Sequence, residues 1–164
     1  MKIIDTKFKG LKIISHRRHS DSRGSLRETY IKKIIKWDDL VFDYATISKK
    51  NVLRGLHGDI KSWKLVTCVF GEVFQVVVDT RPESKNYLKW ESWKLSDENR
   101  KQILIPPNFA NGFLCLSEKC VYHYKYSYSG EYNDVENQFT MKWNDPQIGI
   151  KWPIKEPILS KRDK

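Results

Sequence analysis

Short apolar runs of strand length, separated by turn residues, recur along most of this chain and constrain its fold more than any other feature. Two adjacent runs, 64–70 (KLVTCVF) and 72–79 (EVFQVVVD), have only Gly71 between them. Further runs cover 89–95, 102–105, 109–116 and 121–128. Many short strands at regular spacing, with few convincing helices, predict an all-β sandwich or barrel.

The region before residue 50 carries two weaker signals. The phrase Asp21-Ser22-Arg23-Gly24 has turn chemistry, and residues 26–30 after it alternate as a strand does. Residues 31–40 are compatible with a short helix, because three isoleucines would share one of its faces. The 164 residues contain no repeat or linker, so we predict one domain over 1–164, long enough for a sizeable core.

Cysteine usage and hydropathy indicate a cytoplasmic protein. Cys68, Cys115 and Cys120 are odd in number and lie in apolar runs, which is typical of buried thiols rather than of a disulfide framework or a zinc site. The sequence has no apolar stretch of about 18 residues and no charged-then-apolar leader. We therefore expect no membrane association.

The formal net charge of +10 calls for an anionic partner. Nucleic acid is one candidate, because tryptophan and tyrosine are plentiful and can stack on bases. The lysines are scattered, however, with no long basic block or recognition helix. A small anion such as a nucleoside diphosphate would equally favour a basic cleft. The charge does not choose between them.

The stretch 51–57 (NVLRGLH) contains the strongest candidates for catalytic residues. It places Arg54 three residues before His57, and Lys64 opens the next strand-like run. Histidine has the unperturbed pKa nearest neutrality and is the usual general base. A single histidine is more often structural, so the interpretation depends on its neighbours.

Residues 121–128 (VYHYKYSY) form a strand in which tyrosines alternate with other residues. Tyr122, Tyr124, Tyr126 and Tyr128 would share one face, with His123 and Lys125 on the other. Packing explains most of such a face, although a tyrosine that lines a cavity can also donate a proton. The alternation itself does not select one of the four.

Several phrases together resemble the dTDP-4-dehydrorhamnose 3,5-epimerase family and its relatives that act on other nucleotide-linked 4-keto sugars. They follow the family's order from about residue 20 onward: 21–24 with Glu28, 53–57, 64–66, 71–79, 105–106, 109–113, 124–125, 143–146, 150–153 and 159–163. The resemblance implies a cupin-type jelly-roll barrel with a few short helices, which forms a homodimer through its N-terminal strands.

The resemblance also assigns roles to individual residues. His57 matches the family's catalytic base, and Asp163 matches the carboxylate that pairs with it. Tyr124 falls on the proton donor at the opposite face of the sugar, and Lys64 matches the lysine near the sugar's O4. A tail that ends in Asp163 would then have to fold back.

Substrate-binding roles follow in the same way. Arg54 resembles the arginine on the diphosphate, and Arg162 belongs to the same motif as Asp163. Arg23 and Glu28 match residues that reach the nucleotide from the partner subunit.

Asn111 departs from the family pattern, because a second histidine is common at its position. An amide can hydrogen-bond to a sugar or enolate oxygen but cannot titrate. The same pattern resembles epimerases of GDP-linked 4-keto heptoses, so the base, the sugar length and the choice of C3 or both C3 and C5 stay open. The loop between Gly58 and Lys64 is short, and its Trp63 either shapes the site or only packs.

Many cupins bind a metal ion through a His-x-His pair. Here His57 is followed by Asp59, and the later histidine is replaced by Asn111. Three or four transition-metal ligands are not easily assembled from these residues, so we expect a metal-free site. No dinucleotide fingerprint is present, and we expect no cofactor.

We therefore predict an isomerase that inverts C3, C5 or both in a nucleotide-linked 4-keto sugar through an enolate. One alternative is a ketoisomerase that moves the keto group between C3 and C4, which the presence of both Tyr124 and Asp163 disfavours. Another is a non-catalytic module that binds sugar nucleotides or nucleic acid. We expect a sugar-nucleotide ligand rather than nucleic acid.

Overall fold

A computed structural model describes residues 1–36, 39–127 and 137–164 of the chain. These residues form thirteen β-strands. They are β1 (Lys2–Asp5), β2 (Lys12–Ser15), β3 (Arg18–Asp21), β4 (Gly24–Arg27), β5 (Phe42–Lys49), β6 (Leu53–Asp59), β7 (Lys64–Phe70), β8 (Glu72–Asp79), β9 (Trp90–Ser96), β10 (Lys101–Ile105), β11 (Phe109–Cys115), β12 (Lys119–Tyr126) and β13 (Gln138–Thr140).

The strands pair into two large antiparallel sheets. One sheet has six strands in the order β1-β2-β10-β7-β12-β5, and the other has five in the order β13-β6-β11-β8-β9. Consecutive strands such as β6 and β7 lie in different sheets, so the chain crosses repeatedly from one layer to the other. This arrangement is an all-β jelly roll of the cupin type, as predicted.

The core lies between the two sheets, where strand alternation directs apolar side chains inward. Its fully buried members include Val66 on β7, Val77 on β8, Ile103 on β10 and Phe113 on β11. Phe8, which precedes β2, is also fully buried and packs on Phe109 with ring centroids 6.1 Å apart. The core fills one end of the jelly roll and leaves the other end open.

The predicted helix at residues 31–40 is wrong for the part of it that the structure describes. Residues 31–36 make a single turn, in which the amides of Ile34 and Ile35 both donate to the Ile31 carbonyl. Ile35 packs on the outer face of the six-stranded sheet against Ile14 and Leu104. One turn is enough to bury Ile35. Helix nucleation is costly, and a segment this short forms too few hydrogen bonds to offset that cost.

No α-helix occurs among the described residues, so the expected short helices are not found there. Accordingly, no helix in the described ranges is long and apolar enough to cross a membrane. Turns and the tail, rather than helices, connect and cover the sheets.

Three further sequence expectations can be compared with the structure. Trp63 lies against the cluster on the outer face of the six-stranded sheet, so it packs rather than shapes the cavity described below. The strand predicted at 26–30 ends at Arg27, whose guanidinium donates to the Cys68 carbonyl. All three cysteines are free and buried, as predicted.

Candidate active site

A cavity of about 300 Å³ opens between the two sheets at the end that the core leaves unfilled. The five-stranded sheet contributes one wall and the six-stranded sheet the facing wall. The polar and aromatic residues that line it include Phe42, Tyr44, Arg54, His57, Asp59, Lys64, Asn111, Tyr122, Tyr124, Tyr126, Gln138, Arg162 and Asp163. Seven of the nine predicted site residues are in this set.

A bulge in β6 directs two of these side chains to the same side of the sheet. Residues three apart on a regular strand face opposite ways, yet Arg54 and His57 both line the cavity. Arg54 pairs with Phe113 and His57 with Asn111, so β6 has one more residue than β11 between the two pairs. Gly55 accommodates the bulge, because its φ is +119° and a Cβ there would lie 2.6 Å from the Gly112 Cα.

The tail of the chain folds back over this wall, as the resemblance requires. Ile158 forms a parallel bridge with Val52, and its carbonyl accepts from the Leu53 amide at 3.0 Å. Five residues later, Oδ1 of Asp163 lies 2.6 Å from Nε2 of His57. The hydroxyl of Ser160 donates to Oδ2 of the same carboxylate at 2.8 Å.

These contacts decide how His57 can act. In its neutral form the imidazole donates its Nε2 hydrogen to Asp163, which leaves Nδ1 to accept a proton. Burial lowers the pKa of His57, and the positive charges of Arg162 and Lys64 lower it further, while Asp163 raises it. Because the net shift is downward, His57 is neutral at neutral pH and suited to a base.

Lys64 is a buried cation on the facing sheet. Its ammonium donates to the His57 carbonyl and to Oδ1 of Asn111, both at 3.3 Å, and lies 5.1 Å from the centre of the Tyr126 ring. Burial lowers the pKa of Lys64 to about 8, with Asp59 opposing the shift. A cation held this close to neutrality can stabilise a developing negative charge or give up a proton.

Tyr124 lines the wall opposite His57. It pairs across strands with Tyr44, and their rings stack with centroids 5.3 Å apart. Tyr122 and Tyr126 also line the cavity, but Tyr122 is 3% exposed and its hydroxyl donates to Gln75 at 2.6 Å, which suits packing. Tyr128 lies outside the described residues. The base and the predicted proton donor therefore come from different sheets.

Three further polar groups surround this pair. Arg54 is exposed at the cavity and donates to the Ser48 hydroxyl at 3.0 Å. Arg162 donates to Thr140 at 3.2 Å and to Gln138 at 3.4 Å, which anchors the tail on β13. Asn111 faces His57 across β11 and β6 and accepts from Lys64. The cavity thus carries several cations beside its base.

Arg23 and Glu28 are not brought into this cavity. Both are exposed, on or beside the separate β3–β4 hairpin, where Arg23 pairs with Asp21 at 2.6 Å. Leu26 at the same hairpin is 71% exposed. These residues belong to the surface of the single chain.

The described residues contain no group of three or more His, Cys, Asp or Glu side chains placed to hold a metal ion. His57 and Asp163 are hydrogen-bonded to each other, and the positive charges of Lys64 and Arg162 beside them would repel a bound cation. The donor set suits an anionic ligand better than a metal.

Several cavity residues received no role in the sequence analysis, among them Tyr126, Asp59, Ser160 and Gln138. Tyr126 and Asp59 follow assigned residues by two positions on the same strand, so alternation could have identified them. Ser160 precedes Asp163 by three residues, a spacing typical of local side-chain hydrogen bonds. Gln138 had no usable signal, because its strand β13 has only three residues.

A jelly roll whose open end holds a histidine paired with a buried aspartate, a facing tyrosine and a lysine is a cupin-type sugar isomerase site. The family model for dTDP-4-dehydrorhamnose 3,5-epimerase matches residues 5–164. The chain belongs to this family of isomerases, as the resemblance predicted.

Individual relatives agree with this placement. A dTDP-4-dehydrorhamnose 3,5-epimerase of Methanothermobacter thermautotrophicus is 38% identical, covering 99% of this chain and 91% of the relative. The Legionella pneumophila enzyme RmlC, solved with dTDP-4-keto-L-rhamnose, is 37% identical with a TM-score of 0.89, covering 99% of this chain and 89% of the other. ChmJ, a 3′-monoepimerase of Streptomyces bikiniensis solved with dTDP-quinovose, is 26% identical with a TM-score of 0.88, covering 96% and 83%.

Proposed function

We propose that this protein inverts C3, or C3 and C5, of a nucleotide-linked 4-keto-6-deoxy sugar or heptose in the synthesis of a surface polysaccharide sugar. One observation carries the proposal: His57 on one sheet, paired with Asp163 of the tail, faces Tyr124 on the other sheet, with the cation of Lys64 beside it. Inversion needs a base on one face of the sugar and an acid on the other. The two walls of the cavity supply them.

The reaction begins with removal of a proton next to the C4 ketone. Nδ1 of His57 takes the proton, and Asp163 stabilises the imidazolium that forms. Negative charge moves to O4, where Lys64 is the available cation. Tyr124 then returns a proton to the carbon from the opposite face, which inverts that centre. C3 and C5 both flank the ketone, so one site can serve either carbon.

The nucleotide part of the substrate carries negative charge, which the mouth of the cavity favours. Arg54 is exposed there and suits the diphosphate. Arg162 adds a second cation on the same side. Asn111 can hydrogen-bond to the sugar or the enolate oxygen, which would make it a determinant of substrate choice. The chemistry is proton transfer only and requires no redox cofactor.

We also propose a homodimer of one-domain subunits in the cytoplasm, in which Arg23 and Glu28 reach the partner's site. Support comes from the exposed Leu26 beside them and from β5, which among the described strands is the edge of its sheet and has Ile47 61% exposed. An apolar edge strand of this kind favours pairing with another surface. In the single chain β1 pairs with β2, and β2 pairs with the chain's own β10, which leaves the β3–β4 hairpin as the segment that can extend to a partner.

The decisive experiment is incubation with dTDP- and GDP-linked 4-keto sugars in heavy water, followed by NMR of the sugar. Deuterium at C3, or at C3 and C5, with inverted configuration is the expected result. Movement of the keto group to C3 would instead identify a ketoisomerase. Absence of any exchange from all candidate sugars, with binding intact, would identify a binding module.

A further inference from the structure

Asp59 is a carboxylate in the cavity that the mechanism above does not use. It ends β6, two residues after His57, so both side chains point to the same face of the strand. Asp59 is 3% exposed and lines the cavity. A carboxylate buried to this extent is costly unless its oxygens have partners.

Among the described residues, only one of its two oxygens has a hydrogen-bond partner. Oδ1 accepts from the amides of Lys61 and Ser62, at 2.8 and 2.7 Å, and so closes the short loop between β6 and β7. Within the described residues no hydrogen bond reaches Oδ2. The free oxygen therefore remains available to a ligand in the cavity.

The other carboxylate of the described lining already has a partner on each oxygen. Asp163 receives His57 on one oxygen and Ser160 on the other. The remaining charged groups of the described lining, Arg54, Lys64 and Arg162, are donors only. Oδ2 of Asp59 is thus the one carboxylate oxygen of the described lining that is free to accept from a bound molecule.

We propose that Oδ2 of Asp59 accepts a hydrogen bond from a hydroxyl of the substrate's sugar and selects sugars that carry this hydroxyl. The diphosphate is excluded as its partner, because like charges repel. Two residues along a strand place Asp59 about 7 Å from His57 between Cα atoms. That separation matches a sugar whose reacting carbon lies at His57 and whose hydroxyl lies at the far edge of the ring.

This inference rests on the proposed function, and a binding experiment can separate the two. In a His57→Asn background, which prevents turnover, calorimetry compares the nucleoside diphosphate alone with the corresponding 4-keto sugar nucleotide. Asp59→Asn keeps the oxygen that holds the loop and removes the charge. Since a hydrogen bond to a charged group is worth roughly tenfold to a hundredfold in affinity, we expect about a tenfold loss for the sugar nucleotide.

The nucleoside diphosphate alone should bind Asp59→Asn as tightly as the parent or more tightly, because a repulsive charge has been removed. Asp145 provides the matched control. Like Asp59, it accepts a hydrogen bond from the backbone amide two residues later, here that of Gln147 at 2.8 Å, but it lies outside the cavity. Asp145→Asn should leave both affinities unchanged.

A series of monodeoxy sugar nucleotides completes the test. For the analogue that lacks the recognised hydroxyl, the parent and Asp59→Asn should bind equally. If Asp59→Asn destabilises the fold, Asp59→Ser offers a hydroxyl that can still cap the loop and lacks the second oxygen.

Equal affinity of variant and parent for every sugar nucleotide, or a parallel loss for the diphosphate alone, would overturn the role of Asp59. Failure of the proposed function looks different. In that case the protein with His57 intact exchanges no deuterium into any candidate sugar, whatever the effect of Asp59→Asn on affinity.

Discussion

Nε2 of His57 lies 2.6 Å from Oδ1 of Asp163, a residue 106 positions further along the chain. Asp163 is only 6% exposed. The tail is held by the bridge of Ile158 to Val52 and by the contacts of Arg162 with β13. The ordered tail thus brings the Asp163 carboxylate to the His57 imidazole.

Ser160 should position this carboxylate. Its hydroxyl donates to Oδ2 of Asp163, so Ser160→Ala leaves that oxygen without its partner. We expect kcat to fall by roughly tenfold with little change in KM, because a hydrogen bond to a charged group is lost away from the substrate. Ser160→Thr, which keeps the hydroxyl, should restore most of kcat. An unchanged kcat in Ser160→Ala would remove Ser160 from the site.

The pH dependence should follow the lowered pKa of His57. A base is active when neutral, so the acidic limb of kcat/KM should lie below pH 6.5, the ordinary value for histidine. Arg162→Gln removes a charge that lowers this pKa and should shift the limb upward. Asp163→Asn removes one that raises it and should shift the limb downward. NMR titration of His57 in the free protein measures both shifts, and movement in the reverse direction would contradict the assignment.

Lys64 should cost stability in exchange for function. Its pKa is lowered to about 8 by burial, so the charged form is disfavoured in the folded protein. Lys64→Met should abolish deuterium exchange while raising the free energy of unfolding at pH 7 by roughly 1–3 kcal/mol. The parent should gain stability relative to this variant between pH 8 and 10.5, where the unfolded chain binds the proton that the folded one has lost.

Thermal melts of parent and Lys64→Met across this pH range test the prediction. A stability difference between parent and variant that does not change with pH would show that folding does not lower the pKa of Lys64.

Tyr124→Phe should separate proton removal from inversion. If His57 removes the proton and Tyr124 returns one from the opposite wall, the variant still forms the enolate. It should therefore exchange deuterium at the substrate carbon with retained configuration, while net inversion falls by about a hundredfold or more. NMR of the sugar reports both quantities.

Tyr126→Phe is the matched control, because Tyr126 lines the same wall and its ring faces Lys64. It should be the milder of the two substitutions. Normal inversion by Tyr124→Phe together with lost inversion by Tyr126→Phe would show that Tyr126, and not Tyr124, is the proton donor.

Complementation should reveal the dimer. Arg23→Ala subunits and His57→Asn subunits should each be inactive if Arg23 serves the partner's site. Mixing them should restore part of the activity, because one of the two hybrid sites is then intact. Sedimentation should show a dimer at the assay concentration. Subunit exchange without recovery would place Arg23 outside the partner's site.

The sequence alone determined the architecture to a large extent. The strands 64–70 and 72–79 were predicted at their observed bounds, because alternation and the turn at Gly71 are local signals. Burial of the three cysteines also followed from their apolar surroundings. Local pattern failed at 31–36, where the contacts of Ile35 with distant strands decide how much of a helix forms.

The assignment of His57 and Tyr124 came from resemblance in motif, and neither alternation nor composition singled them out. Tertiary structure alone decided the rest of the site. It put His57 and Tyr124 on opposite walls, joined the tail to β6, buried Lys64 and left one oxygen of Asp59 without a partner among the described residues. Such properties depend on sheet packing and on residues far apart in the chain, whereas strand alternation depends only on neighbours. Alternation along a strand predicts on which face of the sheet each side chain lies. Which residues it contacts there depends on how the two sheets stack.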